Sequence, residues 1–331
     1  MNNAQNFKKI LEHNIGFDNP KDWLEYARIH GFKAVKAVKI DRCPDCNGAP
    51  KSRKLGQYVY YSTLIQLFEC SKCGLIWANA HIDRDVIRGH FEITYKDETY
   101  FTISRSAIFS HLVDLIDKLA PYGGSILDIG GARGDLMAQV LARRPDLNVL
   151  VNDVSRKATT YASDRYGLPT LTGDVRQLSA LKEEFDVVVL SDVLYYEPHI
   201  REFWDSLSHL VRKHGCIIIR TPNKYFAIRV GQLWYRLIHT KGQMAIQDRV
   251  RFFNPEHIFI FRRKYLIERL IMMGFTKVYA LPSPMLVTKR NRRLRSWVFK
   301  FAAKLNQFTS RKLVITPSMV VVGSGFKKAA R

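Results

Sequence analysis

The chain has 331 residues, 47% of them hydrophobic, which is enough for one large α/β domain and a smaller module and excludes a disordered chain. Its formal net charge of +22 favours nucleic acid, an anionic membrane surface or a phosphorylated molecule as partner, with a simply solvated basic surface as the alternative. There is no run of about 18 apolar residues and no signal-peptide core, so we expect a cytoplasmic protein without a transmembrane segment.

The chain is predicted to divide into four parts. The pattern "DNPKDWLEYARIHG" predicts a helix in the first part, with a proline in the first turn and a glycine at the end. A small cysteine-containing module follows, then a polar connector that leads into a helix, then a large α/β domain. The predicted bounds are 1–37, 38–82, 83–123 and 124–331.

Two pairs of cysteines define the small module. In "CPDC" and "CSKC" two residues separate the members of each pair, and 23 residues with the strand-like run "QYVYYSTLIQLFE" separate the pairs. This spacing is typical of a zinc ribbon, whose four thiolates leave no position open for catalysis. Disulfides and unrelated core cysteines are the alternatives, and Cys216 is expected only to pack on a buried strand. The predicted ligands are Cys43, Cys46, Cys70 and Cys73.

From residue 124 onward, short β-branched apolar runs alternate with helical patterns. Strands are predicted at "SILDIG", "LNVLVND", "PTLT", "FDVVVLSD", "GCIIIRTPN", "FTKVYAL" and "SMVVVGSGF". Helices are predicted at 134–143, 155–166, 199–213 and 255–275. This alternation indicates a parallel sheet that helices cover on both faces.

The stretch "DIGGARGD" after the first predicted strand lets a ligand lie against the main chain. In open parallel sheets, ligands bind at the carboxyl ends of strands, beside helix N-termini that offer free N–H groups. Here Asp128 precedes Gly130, Gly131 and Gly134. The spacing does not fit the G-x-G-x-x-G fingerprint of dinucleotide sites, so the residues downstream decide the ligand.

Aspartates also end the next predicted strands. Asp153 ends the second strand, where a carboxylate can accept both hydroxyls of a ribose. Asp174 follows the third strand and Asp192 follows the fourth. Any one of them could be a helix cap or a turn residue, but four acids at consecutive strand ends indicate a single ligand crevice.

These motifs resemble the class I S-adenosylmethionine-dependent methyltransferases over about residues 105–325. "DIGGARG" is similar to their first motif, although Ala132 replaces a glycine, "VND" to their ribose-binding acid and "GDV" to their adenine contact. The resemblance implies an α/β fold with a Rossmann-like seven-stranded methyltransferase sheet and a small N-terminal zinc-ribbon module. The donor contacts that it implies are Asp128, Gly130, Gly131, Gly134, Asp153, Asp174, Val175, Ser191 and Asp192.

An N-terminal ribbon before such a domain is similar to bacterial methyltransferases that act on sugars and natural products. The resemblance therefore implies a small-molecule or glycan acceptor, as in cell-surface polysaccharide or secondary-metabolite biosynthesis. His257 is the first candidate base, with His199 and Tyr196 behind it, while a structural histidine at a helix N-terminus is the alternative for His257. The insert 224–253 is predicted to cover the acceptor, with arginines that could hold phosphate or carboxylate groups. These arginines are Arg229, Arg236, Arg249 and Arg251.

The C-terminal part is strongly basic, with 14 Lys and Arg and no acid after Glu268. Within the segment 286–312, apolar residues recur at helical spacing beside basic ones, and we expect this stripe to pack on the sheet or on the insert. Peripheral contact with the inner face of a membrane is the alternative, which would suit a lipid-linked glycan acceptor. The rival functions are an RNA-directed methyltransferase that uses the ribbon and the basic region to bind RNA, and a binding module without catalysis. The stripe consists of Leu294, Trp297, Val298, Phe301, Leu305 and Phe308.

Overall fold

The structure is a computed structural model that describes residues 38–47, 53–60, 63–81, 100–180, 183–225, 257–286 and 292–327. The predicted N-terminal helix, the connector up to residue 99 and nearly all of the predicted lid lie outside the described residues. So do the four arginines predicted to line that lid.

The bounds of the described strands and helices follow in chain order. The strands are β1 (Val38–Lys39), β2 (Arg53–Tyr60), β3 (Thr63–Glu69), β4 (Ile76–Ala78), β5 (Ala80–His81), β6 (Ser125–Ile129), β7 (Asn148–Asp153), β8 (Thr170–Thr172), β9 (Phe185–Ser191), β10 (Val211–Pro222), β11 (Phe259–Ile260), β12 (Phe275–Pro282) and β13 (Ser318–Phe326). The α-helices are α1 (Ser106–Leu119), α2 (Asp135–Arg143), α3 (Arg156–Tyr166), α4 (Val175–Ala180), α5 (Ile200–Leu210), α6 (Arg263–Met273) and α7 (Arg292–Phe308).

A seven-stranded sheet in the order β12-β13-β10-β9-β6-β7-β8 forms the centre of the fold, as the resemblance implied. Strands β8, β7, β6, β9 and β10 run parallel, and β13 lies antiparallel between β10 and β12. The chain moves outward from β6 to β8 and then returns to β9 on the other side of β6. The strand order therefore reverses between β6 and β9, which is where open parallel sheets bind their ligands.

Helices cover both faces of this sheet because its central strands are apolar on both sides. In β9, Val188 and Leu190 face the core that contains α5 and α6. Val187 and Val189 face the opposite core, which contains α1 and α2. This period of two explains why the central strands read as continuous apolar runs in the sequence.

The cysteine module is a second sheet in the order β11-β4-β3-β2. The strand-like run between the cysteine pairs belongs to a hairpin of β2 and β3. The short strand β11 comes from the α/β domain and pairs antiparallel with β4, so that Phe259 lies opposite Trp77. Cys43 and Trp77 belong to the same buried cluster as Trp204 of α5. The module and the large sheet therefore share one core.

The predicted helices differ from the structure in three places. The helix predicted at 199–213 ends at Leu210, because Val211 already pairs with Phe185 of β9. The helix predicted at 255–275 begins only at Arg263, because Phe259–Ile260 is held as a strand by the cysteine module. The short helix α4 was not predicted. Two of these differences depend on pairing with distant strands, which local periodicity does not report.

Helix α7 is present, but the expected packing of its apolar stripe is wrong. The side that faces β12 is formed by Ala302 and Asn306, which are both 1% exposed. Four residues of the predicted stripe point to solvent instead, and among the described residues no helix is long and apolar enough to cross a membrane. The exposed residues are Leu294 (66%), Trp297 (66%), Phe301 (54%) and Phe308 (89%).

Candidate functional site

The glycine-rich turn lies between the end of β6 and the start of α2. Gly130 and Gly134 have φ of +66° and +74°, a region that side chains rarely adopt, and Ala132 also has a positive φ of 50°. A Cβ on Gly130 would lie 3.2 Å from Cγ1 of Val193 and closer still to its Cγ2. One side of the turn is therefore packed against the segment after β9, and a side chain at this glycine has no room.

Asp153 connects this turn to the end of β7. Its carboxylate accepts a hydrogen bond from the Ala132 amide at 3.0 Å and another from the Ser155 amide at 2.8 Å, and the residue is 2% exposed. An ionised carboxylate only accepts hydrogen bonds, and hydroxyl hydrogens are suitable donors to it. The next residue in the chain, Val154, is 48% exposed. The carboxylate and the apolar neighbour suit a ribose and an attached base.

Asp128 is a buried carboxylate beneath the turn. It is 1% exposed, and neither of its oxygens has a hydrogen-bond partner among the described residues. Burial, and then the nearby charge of Asp153, raise the pKa of Asp128 to about 7, while Arg105 acts to lower it. A cationic group close to Asp128 would stabilise the ionised form of this buried carboxylate.

Asp174 follows β8 and caps helix α4. Its carboxylate accepts the backbone N–H of Arg176 at 2.9 Å and pairs with the Arg176 guanidinium at 2.9 Å. Burial acts to raise the pKa of Asp174, but the Arg176 hydrogen bonds and charge outweigh it, so the pKa is lowered. The Gly173 amide donates to the Asp153 carbonyl at 3.0 Å, which brings the two aspartates to adjacent strand ends. Val175, the next residue, is buried.

Asp192 lies at the end of β9, on the other side of the reversal point, and is held by two arginines. Arg105 donates to the Ser191 hydroxyl at 3.0 Å and to the Asp192 carboxylate at 2.9 Å. Arg220 also pairs with Asp192 and donates to the Ser283 hydroxyl at 2.9 Å. Two guanidinium groups therefore face one carboxylate in this nearly buried cluster at the reversal point.

Sequence reasoning missed both arginines. Arg105 lies in the polar segment just before α1, where nothing local distinguishes it. Arg220 carries a signal that could have been read, because it is a charge at the end of the apolar run "CIIIR" in a strand buried on both faces.

The candidate acceptor residues are partly brought together. His257 is 6% exposed and stacks on Tyr195 at 3.8 Å between ring centroids, with the edge of Tyr196 at 5.3 Å. Burial, and then the charge of Lys224, lower the pKa of His257 well below its ordinary value, so the imidazole is neutral. His199 lies apart as an exposed residue at the start of α5. His257 is not in a helix, since it lies two residues before the start of β11.

The four predicted metal ligands do converge. Their sulfur atoms all lie within 4.8 Å of one another, with Sγ–Sγ distances of 3.6 Å between Cys43 and Cys73 and 3.5 Å between Cys46 and Cys70. A tetrahedron with Zn–S bonds of about 2.3 Å has S–S edges of about 3.8 Å. The cysteines are therefore positioned to bind a metal ion such as zinc.

Comparisons with known proteins identify the family. A family of proteins described as "Methyltransferase domain" matches residues 101–280, more than half of the chain, and the chain belongs to it. With the seven-stranded sheet, this makes the protein an S-adenosylmethionine-dependent methyltransferase, as the sequence motifs implied. No curated protein shows significant sequence similarity to the chain.

The chain is similar to several solved methyltransferase structures at low sequence identity. A SAM-dependent methyltransferase from Archaeoglobus fulgidus is 14% identical, with a TM-score of 0.45, 69% of this chain and 97% of that one being covered. The plantazolicin methyltransferase BpumL in complex with SAH is 17% identical, with a TM-score of 0.45 and coverage of 73% and 91%. The methyltransferase domain of bacterial CtHen1 is 14% identical, with a TM-score of 0.43 and coverage of 67% and 98%.

The strand ends fit S-adenosylmethionine. The buried Asp128 carboxylate, which has no hydrogen-bond partner among the described residues, suits a ligand that carries ammonium and sulfonium charges. Because Gly130 has no Cβ, the turn can pack closely on Val193. When bound, this donor supplies a methyl group that its sulfonium has already activated. The protein is then left to bind, orient and desolvate the two reactants.

Proposed function

We propose that this protein transfers a methyl group from S-adenosylmethionine to a small-molecule or glycan acceptor. The reaction would take place at the reversal point, beside the carboxyl ends of β6 and β9. The observation that carries this proposal is that the segment after β9 contacts the glycine turn at one residue and a buried aromatic cluster two residues later. Val193 packs on Gly130, and two residues later Tyr195 stacks on His257. A methyl group held at the turn would face this cluster.

The residues at the strand ends are proposed to hold the donor. Asp153 would accept the ribose hydroxyls, Val154 would contact the adenine, and Asp174 with the amide of Val175 would lie at the adenine edge. Gly130, Gly131 and Gly134 would offer main-chain surface, and Asp128 would balance the positive charge of the methionine part. Ser191 and Asp192 would border the methionine part from the β9 side.

Arg105 adds a contact that the sequence motifs did not include. Its guanidinium hydrogen bonds to Asp192 at 2.9 Å, and its charge also influences Asp128 below the glycine turn. It therefore contacts the end of β9, and its charge acts on the carboxylate at the end of β6. We infer that Arg105 holds the carboxylate of the methionine part, because planar guanidinium groups suit carboxylates.

His257 and Tyr196 are proposed to serve the acceptor. A neutral imidazole can take the proton that an acceptor hydroxyl loses as the methyl group is transferred, and the lowered pKa of His257 keeps it neutral. The phenol of Tyr196, at the edge of that ring, would orient the acceptor. His199 remains a weaker candidate because it is exposed at the start of α5.

The buried position of His257 and Tyr195, both 6% exposed, supports a small acceptor over a folded RNA. A nucleic acid would have to flip a base into this cluster, whereas a metabolite or a sugar hydroxyl can enter directly. We propose that the reaction takes place in the cytoplasm and that its acceptor belongs to cell-surface polysaccharide or secondary-metabolite synthesis.

Fractionation of labelled products tests this proposal. The purified chain is incubated with methyl-labelled S-adenosylmethionine and a cell extract, and label is followed into RNA, lipid-extractable glycan and small metabolites. A His257→Gln variant that still binds the donor is the control for background methylation. Label in glycan or metabolites that depends on His257 supports the proposal, and label confined to RNA contradicts it.

A further inference from the structure

We propose that the exposed face of α7 docks onto an anionic membrane surface. The four exposed apolar residues of the stripe are those described above, and Trp297 and Phe301 stack with ring centroids 6.0 Å apart. At 3.6 residues per turn, the four residues fall in a sector about 60° wide and extend over about 21 Å of the helix. Such a contiguous apolar strip on a surface marks an interaction site.

The exposure of this strip follows from how α7 is anchored. Asn306, on the opposite side, donates to the carbonyls of Ala280 and Leu313 at 3.3 and 2.8 Å, and Ala302 is buried beside it. Phe299 meets the edge of His111 of α1 at 5.4 Å. The buried side fixes the rotation of the helix about its axis, so the apolar strip is held outward.

The charges beside the strip identify the partner. Arg293, Lys300 and Lys304 are exposed on the same side of α7, and the sequence has no acid after Glu268. A groove of about 420 Å³ is lined by Arg293, Ser296, Trp297 and Lys300. Two cations, a hydroxyl and an indole together suit the phosphate of a lipid headgroup at the depth where tryptophan prefers to lie.

A membrane suits this surface better than RNA. Leucine and phenylalanine side chains at the outermost positions gain free energy by entering the acyl boundary, and the lysine and arginine stems can extend from there to the headgroups. RNA-binding helices use arginine and lysine against phosphates, and they do not require Leu294 and Phe308 to protrude. The chemistry therefore commits α7 to a bilayer surface rich in anionic lipid.

Vesicle sedimentation tests the proposal with the full chain. Vesicles of phosphatidylcholine with about 30 mol% phosphatidylglycerol are compared with phosphatidylcholine alone at low salt. Trp297→Ala/Phe301→Ala should lower the partition coefficient on anionic vesicles by about tenfold or more, because apolar burial is lost. Arg293→Gln/Lys300→Gln should reduce binding and its salt dependence.

A matched control removes an exposed aromatic elsewhere. Tyr122 is 90% exposed in the turn before β6, and Tyr122→Ala should leave vesicle binding unchanged. Thermal unfolding of each variant shows that it is folded. Absence of binding to anionic vesicles by the folded wild type, or equal binding by the Trp297→Ala/Phe301→Ala variant, overturns the proposal. RNA binding that depends on Trp297 and Phe301 in the absence of vesicle binding also overturns it.

Discussion

Replacing Gly130 by alanine tests whether the glycine turn is packed as closely as the structure indicates. Gly130→Ala places a Cβ at φ +66°, which costs about 1 kcal/mol for a non-glycine residue. The same Cβ lies within 3.2 Å of Val193 Cγ1 and closer to Cγ2, and overpacking of this kind costs about 1–3 kcal/mol more. We expect the free energy of unfolding to fall by about 3 kcal/mol, with weaker donor binding because the turn must shift.

Two matched variants separate the conformational cost from the steric cost. Gly123 has φ +65° with nothing within 4 Å of the position that a Cβ would take, so Gly123→Ala should lose only about 1 kcal/mol. The double variant Gly130→Ala/Val193→Ala should lose about 1–2 kcal/mol less free energy of unfolding than the sum of the losses in the two single variants. Urea unfolding of the four proteins measures this coupling. If Gly130→Ala is no more destabilising than Gly123→Ala, the packing of the turn on Val193 is wrong.

Three further predictions concern the metal, the buried carboxylate and the candidate base. Elemental analysis should find one zinc per chain, and Cys70→Ser should release it and destabilise the whole protein, since the cysteine module shares a core with the large sheet; a metal-free wild type would contradict this. Because the folded-state pKa of Asp128 is raised to about 7, the stability that its protonated form contributes is full below about pH 4 and is lost as the pH rises through about 7. Urea unfolding should show this loss, roughly up to 4 kcal/mol, in the ligand-free wild type and not in Asp128→Asn; the same pH profile in both would refute the burial argument. Once an acceptor is identified, His257→Gln should lower kcat by about 100-fold or more with unchanged donor affinity, and an unchanged kcat would remove His257 as the base.

The central sheet and the convergence of the four cysteines could be predicted because their signals are local. Apolar β-branched runs alternate with helical patterns, and the spacing of the two cysteine pairs fits one metal. The glycine turn was predictable for the same reason, since a close approach of backbone requires glycine at several positions of a short segment, here Gly130, Gly131 and Gly134.

Arg220 could have been noticed in the sequence, but the pairing of Arg105 and Arg220 with Asp192 could not be predicted, because the two arginines lie 87 and 28 positions from it. The strand β11 is a similar case. Its two residues resemble the start of the following helix, and only the edge of β4 makes them a strand. Pairing across domains of this kind overrides local helical periodicity.

For helix α7, the sequence predicted the helix but not the side that is buried. Its periodicity correctly predicted a helix, and its stripe was expected to be buried. The buried side is instead formed by the small residue Ala302 and by Asn306, whose amide satisfies carbonyls of neighbouring segments. The sequence periodicity indicates that a helix is amphipathic, but the packing of side chains against β12 decides which side is buried.

The most direct test of the proposed donor site is calorimetric titration of S-adenosylmethionine into the wild type, Asp153→Ala and Asp164→Ala. Asp164 is an exposed aspartate of α3, so its replacement controls for a lost surface charge. We predict binding of one donor per chain, weakened by about 1.5–3 kcal/mol in Asp153→Ala and unchanged in Asp164→Ala. A folded wild type that binds no S-adenosylmethionine, or a folded Asp153→Ala variant with wild-type affinity, would contradict the account.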